Sequence, residues 1–438
     1  MAKWKCTICG EIVESNMAPE ECPVCGVGAK FFVEVEEESK SREFNDEYRI
    51  VIIGASGAGM SAAEEIRKRN KKCSLTIISK EDIKGYYRPQ LSKMLSNEIL
   101  PDSLTIKNDN WFRDNNVKLM LNSVVSKIDV NNKKLISIEN KELEYDKLII
   151  ASGAEVFVPP LTGRDKKGVY TLRYMKDLYE IKEYAKGKKT AAVIGGGVLG
   201  LEAASELNLL GLDVTVLERN DRILSKQLDN NGSIILEDIV KETGVTIRKF
   251  ASSKEIAGDE KVTGVLLEDG ETIPADLIII STGVKSNCEI AFPDIEIKRS
   301  IVVNNMMETN IPDVYACGDC AEFDGVNYAL WSEAILQGKA AGVNAVGDKF
   351  IYEQIVPSTT LNAFNSSVFS IGDIGLKKDV NYEVYELMER DRKNYVKMYF
   401  ANGILTGGIL IGDTSKTVDL IEGFEKSKSK DEMIKNFN

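Results

Sequence analysis

One local pattern occurs twice in this chain, about 140 residues apart, and it restricts the fold more than any other feature. Each copy is an apolar run that stops at glycine, then a stretch with helical spacing, then a second apolar run. The first reads Arg49 to Ile53 into Gly54, then Ser61 to Arg69, then Leu75 to Ile78. The second reads Thr190 to Ile194 into Gly195, a helix through Leu210, then Asp213 to Leu217. Short apolar runs bounded by glycine suit strands buried on both faces, and joining two parallel strands requires a crossover such as a helix. Each copy therefore predicts a strand–helix–strand unit, and the pair predicts two dinucleotide-binding domains of the α/β class. Further glycine-ended strands are expected at Leu148 to Gly153 and Leu277 to Gly283.

The glycines carry the chemistry. Gly195, Gly197 and Gly200 form a complete G-x-G-x-x-G between a strand and a helix. Such spacing permits a tight turn and lets a pyrophosphate approach a helix N-terminus. Glu218 ends the next strand, 23 residues after Gly195. A carboxylate there accepts bonds from ribose hydroxyls and repels a 2′-phosphate, which predicts NADH over NADPH. Arg219 beside it is the type of residue that accommodates that phosphate. The first copy is Gly54, Ser56, Gly57 and Gly59, with serine at the middle position. It keeps the turn glycine and the helix-packing glycine, so it also predicts a pyrophosphate site. Its acidic ribose partner is expected at Glu81.

The N-terminus holds a different signal. Cys6, Cys9, Cys22 and Cys25 follow the spacing C-x2-C-x12-C-x2-C, with Gly10 and Gly26 after the second and fourth cysteines. A two-residue gap lets both thiolates of a pair reach one ion, and the following glycine allows the backbone to turn its N–H groups toward sulfur. Two such knuckles predict a closed tetrahedral metal site of four thiolates. Zinc and iron both suit it. Aromatic residues at Trp4, Phe31 and Phe32 and a proline at position 23 favour iron. The polar, acidic stretch around residues 34–48 then reads as a tether.

Composition narrows the function further. The 438 residues include no histidine, which excludes imidazole general bases and imidazole metal ligands. A net charge of −12 argues against nucleic acid as a partner. No run approaches the roughly 18–20 apolar residues of a membrane span, and the N-terminus has no apolar signal core, so a soluble cytoplasmic protein without a membrane partner is expected.

The segment from Thr309 through Gly318 and Asp319 resembles the flavin-binding segment of the two-dinucleotide FAD/NAD(P) oxidoreductases. Ala151 to Gly153 and Ser281 to Gly283 resemble that family's two short glycine motifs, and Trp331 to Gly338 resembles its helix beside the flavin ring. These motifs occur in family order over about residues 48–438. The branch most similar is that of the NADH:rubredoxin oxidoreductases, and the cysteine segment resembles the rubredoxin-like module of the rubrerythrins, in which Glu11 stands where an aromatic residue is usual.

The resemblance implies that Asp319 binds the ribityl chain and that Arg88 and Pro89 contact the flavin. It also implies that Lys93 lies near flavin N5 and pairs with Glu202, these two being the catalytic candidates. Disulfide reduction is not expected, because the loop Gly85 to Lys93 contains no cysteine. Cys317 and Cys320 read as small packed residues, not as a redox dithiol.

The implied organisation is a rubredoxin-like iron domain (1–38), a linker (39–47) and an FAD domain (48–155 and 284–355). An NAD domain (156–283) is inserted in it, and a C-terminal α+β interface-like domain (356–438) follows. The implied function is electron transfer from NADH through FAD to one iron, then to a rubredoxin, flavodiiron protein or rubrerythrin. Two other readings stay open: an NADH oxidase or nitrite-reductase-like flavoprotein with a structural zinc head, and a redox-sensing binding protein. Monomer and dimer are both left open.

Overall fold

The computed structural model describes residues 2–8, 10–35, 42–97 and 101–437. Both repeated units form as expected. In the first, five parallel strands stand in the order Val314–Ala316, Lys147–Ile150, Arg49–Ile53, Ser74–Ile78, Val117–Met120. In the second, the order is Val169–Tyr170, Leu277–Ile280, Thr190–Ile194, Asp213–Leu217, Thr246–Arg248, again parallel. The near-continuous Ile, Val and Leu of the central strands are buried because helices and further strands cover both sheet faces.

The two helices that follow the glycine turns are α1 (Gly57–Arg69) and α2 (Val198–Leu209). α1 begins four residues before the helical spacing suggests, on the fingerprint itself. The two glycine-rich turns repeat each other closely. Gly54 and Gly195 take φ of 111° and 118°, in the region that favours glycine. A Cβ on Gly54 would lie 2.1 Å from the Ala151 carbonyl oxygen, and one on Gly195 would lie 2.1 Å from that of Ser281.

The strand Val314–Ala316 returns to the first sheet after the whole second sheet has been built, so the second domain is an insertion in the first. The two crossings of the chain, Ala154–Val156 and Val284–Ser286, pair antiparallel.

A third helix, α3 (Trp331–Ala345), packs along α1. Small residues allow the close approach: a Cβ on Gly338 would lie 2.2 Å from the Ala58 carbonyl oxygen.

The last part of the chain is a five-stranded antiparallel sheet carrying two helices, Thr417–Glu425 and Lys430–Phe437. Alternate residues of its strands face opposite ways. Tyr395, Tyr399, Ile409 and Ile411 join the core of the inserted domain, whereas Met398, Phe400 and Leu410 face the other side. That other side shares one apolar cluster with Cys6, Ile8, Cys22 and Phe32 of the N-terminal head. The head itself is a small antiparallel sheet with Ala2–Cys6 between Ile12–Ser15 and Phe32–Val35. Among the described residues no helix is long and apolar enough to cross a membrane.

Gly338→Ala tests the close helix packing. Alanine gains about 1 kcal/mol of helix propensity, but the added Cβ overlaps backbone that has little room to move, so a net loss of about 1–2 kcal/mol is expected in urea unfolding. Unchanged stability would show that α1 and α3 separate freely.

Candidate functional site

The cysteine knuckles owe their shape to their glycines. Gly10 N–H donates to the Cys6 carbonyl and Gly26 N–H to that of Cys22, both at 2.9 Å, with the glycines at φ of 77° and 70°. These turns bring Cys6, Cys22 and Cys25 together, with all three Sγ atoms within 4.8 Å of one another and those of Cys6 and Cys25 at 3.6 Å. Ligands about 2.3 Å from a central ion in a tetrahedron stand about 3.8 Å apart, so the sulfurs fit a tetrahedral thiolate metal site. Cys9, the fourth sulfur expected from the spacing, lies outside the described residues.

A single cleft of about 1440 Å³ runs along both fingerprints. Ordinary ligand pockets hold roughly 300–1,000 Å³, so this volume suits two nucleotides better than one. Gly54, Ser56 and Gly57 line one end and Gly197 and Glu202 the other. Ala151, Gly153, Gly283, Gly318, Asp319 and Trp331 form walls between them, as do Arg88 and Pro89. Gly59, Gly195 and Gly200 are not wall residues. Gly59 and Gly200 lie one layer beneath, where a Cβ would meet the carbonyl oxygens of Gly54 and Gly195 at 1.9 and 2.0 Å. The cradles are thus open backbone that any side chain would fill, which fits a pyrophosphate at each.

The charged candidates have protein partners. Glu218 is buried under the second glycine turn, accepting from Gly196 N–H at 2.8 Å and from the backbone and side chain of Asn220 at 2.8 and 2.7 Å. Arg219 points into solvent. Glu81, expected to meet a ribose, lines the cleft and accepts from Arg88 Nη2 at 2.6 Å and from Tyr86 Oη at 2.7 Å, one donor on each oxygen. Asp319 pairs with Arg173 at 2.8 Å. Arg173 Nε is buried with no partner among the described residues, so this wall holds a donor suited to a ligand oxygen. Sequence reasoning missed Arg173 because it lies in the inserted domain outside any motif.

Lys93 and Glu202 do not bond to each other. Lys93 Nζ pairs with Glu21 of the head at 2.5 Å and is not a wall residue, whereas Glu202 accepts from Ser92 Oγ at 2.7 Å inside the cleft. Pairing at the cleft rim leaves the ammonium partly hydrated and avoids the cost of burying it. Burial pushes the Glu202 carboxyl from its ordinary 4.5 up to about 7, opposed by the Ser92 hydroxyl and the Lys93 charge. Cys317 and Cys320 are fully buried, and burial first of all drives both thiols upward, away from the reactive thiolate.

The head is seated at the mouth of this cleft. Ile8, Val24 and Cys25 line it together with the flavin-type fingerprint. Gln90 Nε2 donates to the Pro23 carbonyl at 2.9 Å and Asn362 Nδ2 to that of Cys25 at 2.7 Å. The sequence carries no signal for either contact.

Three stretches of the chain match known families. Residues 48–338 match the pyridine nucleotide-disulphide oxidoreductases, 357–428 the rubredoxin NAD+ reductase C-terminal domain, and 4–33 the rubredoxin-like domain of rubrerythrin. An NADH-rubredoxin oxidoreductase of Clostridium acetobutylicum is 33% identical over 87% of this chain and 96% of its own length. The crystal structure of NADH:rubredoxin oxidoreductase from that organism superposes with a TM-score of 0.76 at 32% identity, over 90% of this chain and all of the other. A nitrite reductase [NAD(P)H] of Bacillus subtilis is 34% identical over 86% of this chain but only 47% of its own length. The chain thus spans about half the length of some curated relatives.

Glu202→Gln tests the buried carboxylate. Below about pH 4.5 wild type and variant are both neutral there. As pH rises from about 4.5 to about 7 the folded wild type binds more protons than the unfolded chain, so its stability falls relative to the variant and levels off above that range. The variant should be more stable by roughly 3 kcal/mol at most at pH 8, and by little at pH 4, in urea unfolding of protein stripped of nucleotide. A gap that does not change with pH would sink this assignment.

Proposed function

The chain belongs to the pyridine nucleotide-disulphide oxidoreductase family, in the branch of the NADH:rubredoxin oxidoreductases, and from that membership we propose that it carries electrons from NADH through FAD to a rubredoxin-type iron in its own head. From there they pass to an acceptor protein such as a rubredoxin, a flavodiiron protein or a rubrerythrin. One observation carries the reading: Cys25 of the metal knuckle lines the same cleft as Gly54 and Gly57 of the first fingerprint. Bound FAD supplies a ring that takes a hydride from a nicotinamide and releases electrons one at a time, and a four-thiolate iron supplies the one-electron carrier.

The residues divide the work. Gly54, Gly57 and Gly59 form the FAD pyrophosphate cradle at the start of α1, and Gly195, Gly197 and Gly200 that of NADH at the start of α2. Asp319, held by Arg173, takes a sugar-chain hydroxyl in this reading, which its position on the cleft wall supports. Arg88, fixed by Glu81, and Pro89 close the wall where the flavin ring belongs. Glu202 is an acidic group within the NADH end, and its raised pKa lets it keep its proton and donate a hydrogen bond up to about neutral pH. Glu218, buried under Gly196, favours NADH because a 2′-phosphate beside it would be repelled. No proton transfer by a side chain is needed for hydride transfer, in keeping with a chain that has no histidine.

A visible spectrum with metal analysis tests the proposal. Absorption beyond the flavin bands should bleach when NADH is added, with one iron per chain. Zinc at full occupancy would defeat the relay. Cys25→Ser should lose the metal and lower acceptor reduction by about tenfold or more, while NADH still reduces the flavin. Undiminished acceptor reduction would make the flavin domain the sole donor. NADPH should be used at least about tenfold less efficiently than NADH, the effect of roughly 1.4 kcal/mol of repulsion at Glu218.

A further inference from the structure

Glu11 follows the first cysteine knuckle and is 9% exposed. Its carbonyl accepts from Cys6 N–H at 2.8 Å, so the residue is tied to a metal-ligand strand. Its carboxylate does not turn to solvent. Oε1 accepts from the Tyr87 hydroxyl at 3.3 Å and Oε2 from the Trp331 indole N–H at 3.2 Å. These partners come from two separate segments of the first domain, the loop before Lys93 and the first residue of α3. The Trp331 ring in turn lies where a Cβ on Gly57 would touch it, at 3.1 Å. Glu11 thus bridges the metal knuckle to the roof of the first fingerprint.

We propose that Glu11 is a reversible docking latch, a positioning residue that seats the head's metal over the flavin cleft and lets it leave again. The inference rests on the electron-relay reading above. Each NADH yields NAD+, one proton to solvent and two electrons, enough to reduce two ferric irons to ferrous. The head holds one metal site, so it must be reoxidised by the acceptor protein between the two transfers. In the docked position Cys6 and Cys22 are fully buried and Cys25 faces the cleft, so no described sulfur is offered outward. Opening the seat would turn Cys25 from the cleft toward an acceptor protein.

The chemistry of the contact suits that need. Among the described residues both donors to this buried carboxyl are neutral, and they recover part of its lost hydration, so docking is specific in geometry but not permanent. Glutamine at this position keeps both bonds, since its carbonyl accepts from the indole and its amide donates to the phenol oxygen. Alanine keeps neither and leaves Tyr87 and Trp331 without their partner.

Hydrogen–deuterium exchange on the full-length holoprotein, with stopped-flow reduction by NADH, tests the latch. Glu11→Ala should raise exchange in the segments 4–8 and 22–27 and slow metal reduction by about tenfold, the weight of one hydrogen bond to a charged group, with flavin reduction unchanged. Glu11→Gln should restore protection and metal reduction. Tyr87→Phe, which leaves the head sequence intact, should shift exchange in the same direction as alanine and by less. Metal content is measured for each variant, so that loss of the head fold is not read as undocking. Unchanged exchange in Glu11→Ala with metal retained overturns the proposal, as does a glutamine variant that behaves like alanine. Exchange reports docking alone, so a zinc-loaded head, which would defeat the relay, still leaves the latch tested.

Discussion

The architecture depends on backbone approaching backbone where a side chain would intervene. At Gly54 and Gly195 the chain leaves a strand and passes so near the neighbouring strand's carbonyl that any Cβ would overlap it. The next glycines, Gly59 and Gly200, repeat the contact from the helix side. Together they press each helix onto its strand and leave the amide groups of its first turn facing open space. A phosphate cradle follows from this compression at both ends of the cleft, because the inserted sheet repeats the geometry of the first.

Charge in the cleft is managed by pairing and by neutralisation. Asp319 with Arg173 and Glu81 with Arg88 are ion pairs at the wall, each with side chains under 20% exposed. Among the described residues Glu202 has no such ion pair, and burial raises its carboxyl to about 7 against the Ser92 hydroxyl and the Lys93 charge. Glu333 behaves in the same way: burial raises it to about 7, while the Tyr328 N–H at 3.0 Å opposes the shift. A buried carboxyl that stays protonated avoids most of the penalty of a lone charge in low dielectric.

The C-terminal sheet joins the inserted domain to the N-terminal head. One face is part of the core of the inserted domain, and the other carries the head. The period-2 alternation of its strands makes this sharing direct, because neighbouring residues such as Tyr399 and Phe400 serve opposite partners. The head is positioned by that apolar face and by polar contacts at the rim, among them Gln90, Asn362 and Lys93. Glu11 was visible in the sequence as an odd residue after Cys-Gly, but nothing in the sequence linked it to Trp331, 320 residues away.

The sequence by itself determined the local backbone: two strand–glycine–helix units, two cysteine knuckles, the order of the motifs, and hence the fold class and the family. These features are encoded over a few residues, in the spacing of apolar, glycine and cysteine positions, so they can be read without neighbours. Only the tertiary structure decided that Lys93 meets Glu21 and not Glu202, that Arg173 holds Asp319, and that Arg88 and Tyr86 occupy Glu81. Each of these choices is a competition between a charged group's hydration and whichever partner the assembled surfaces bring within reach. Those surfaces exist only once the separate domains have folded and packed, so no spacing along the chain records the outcome.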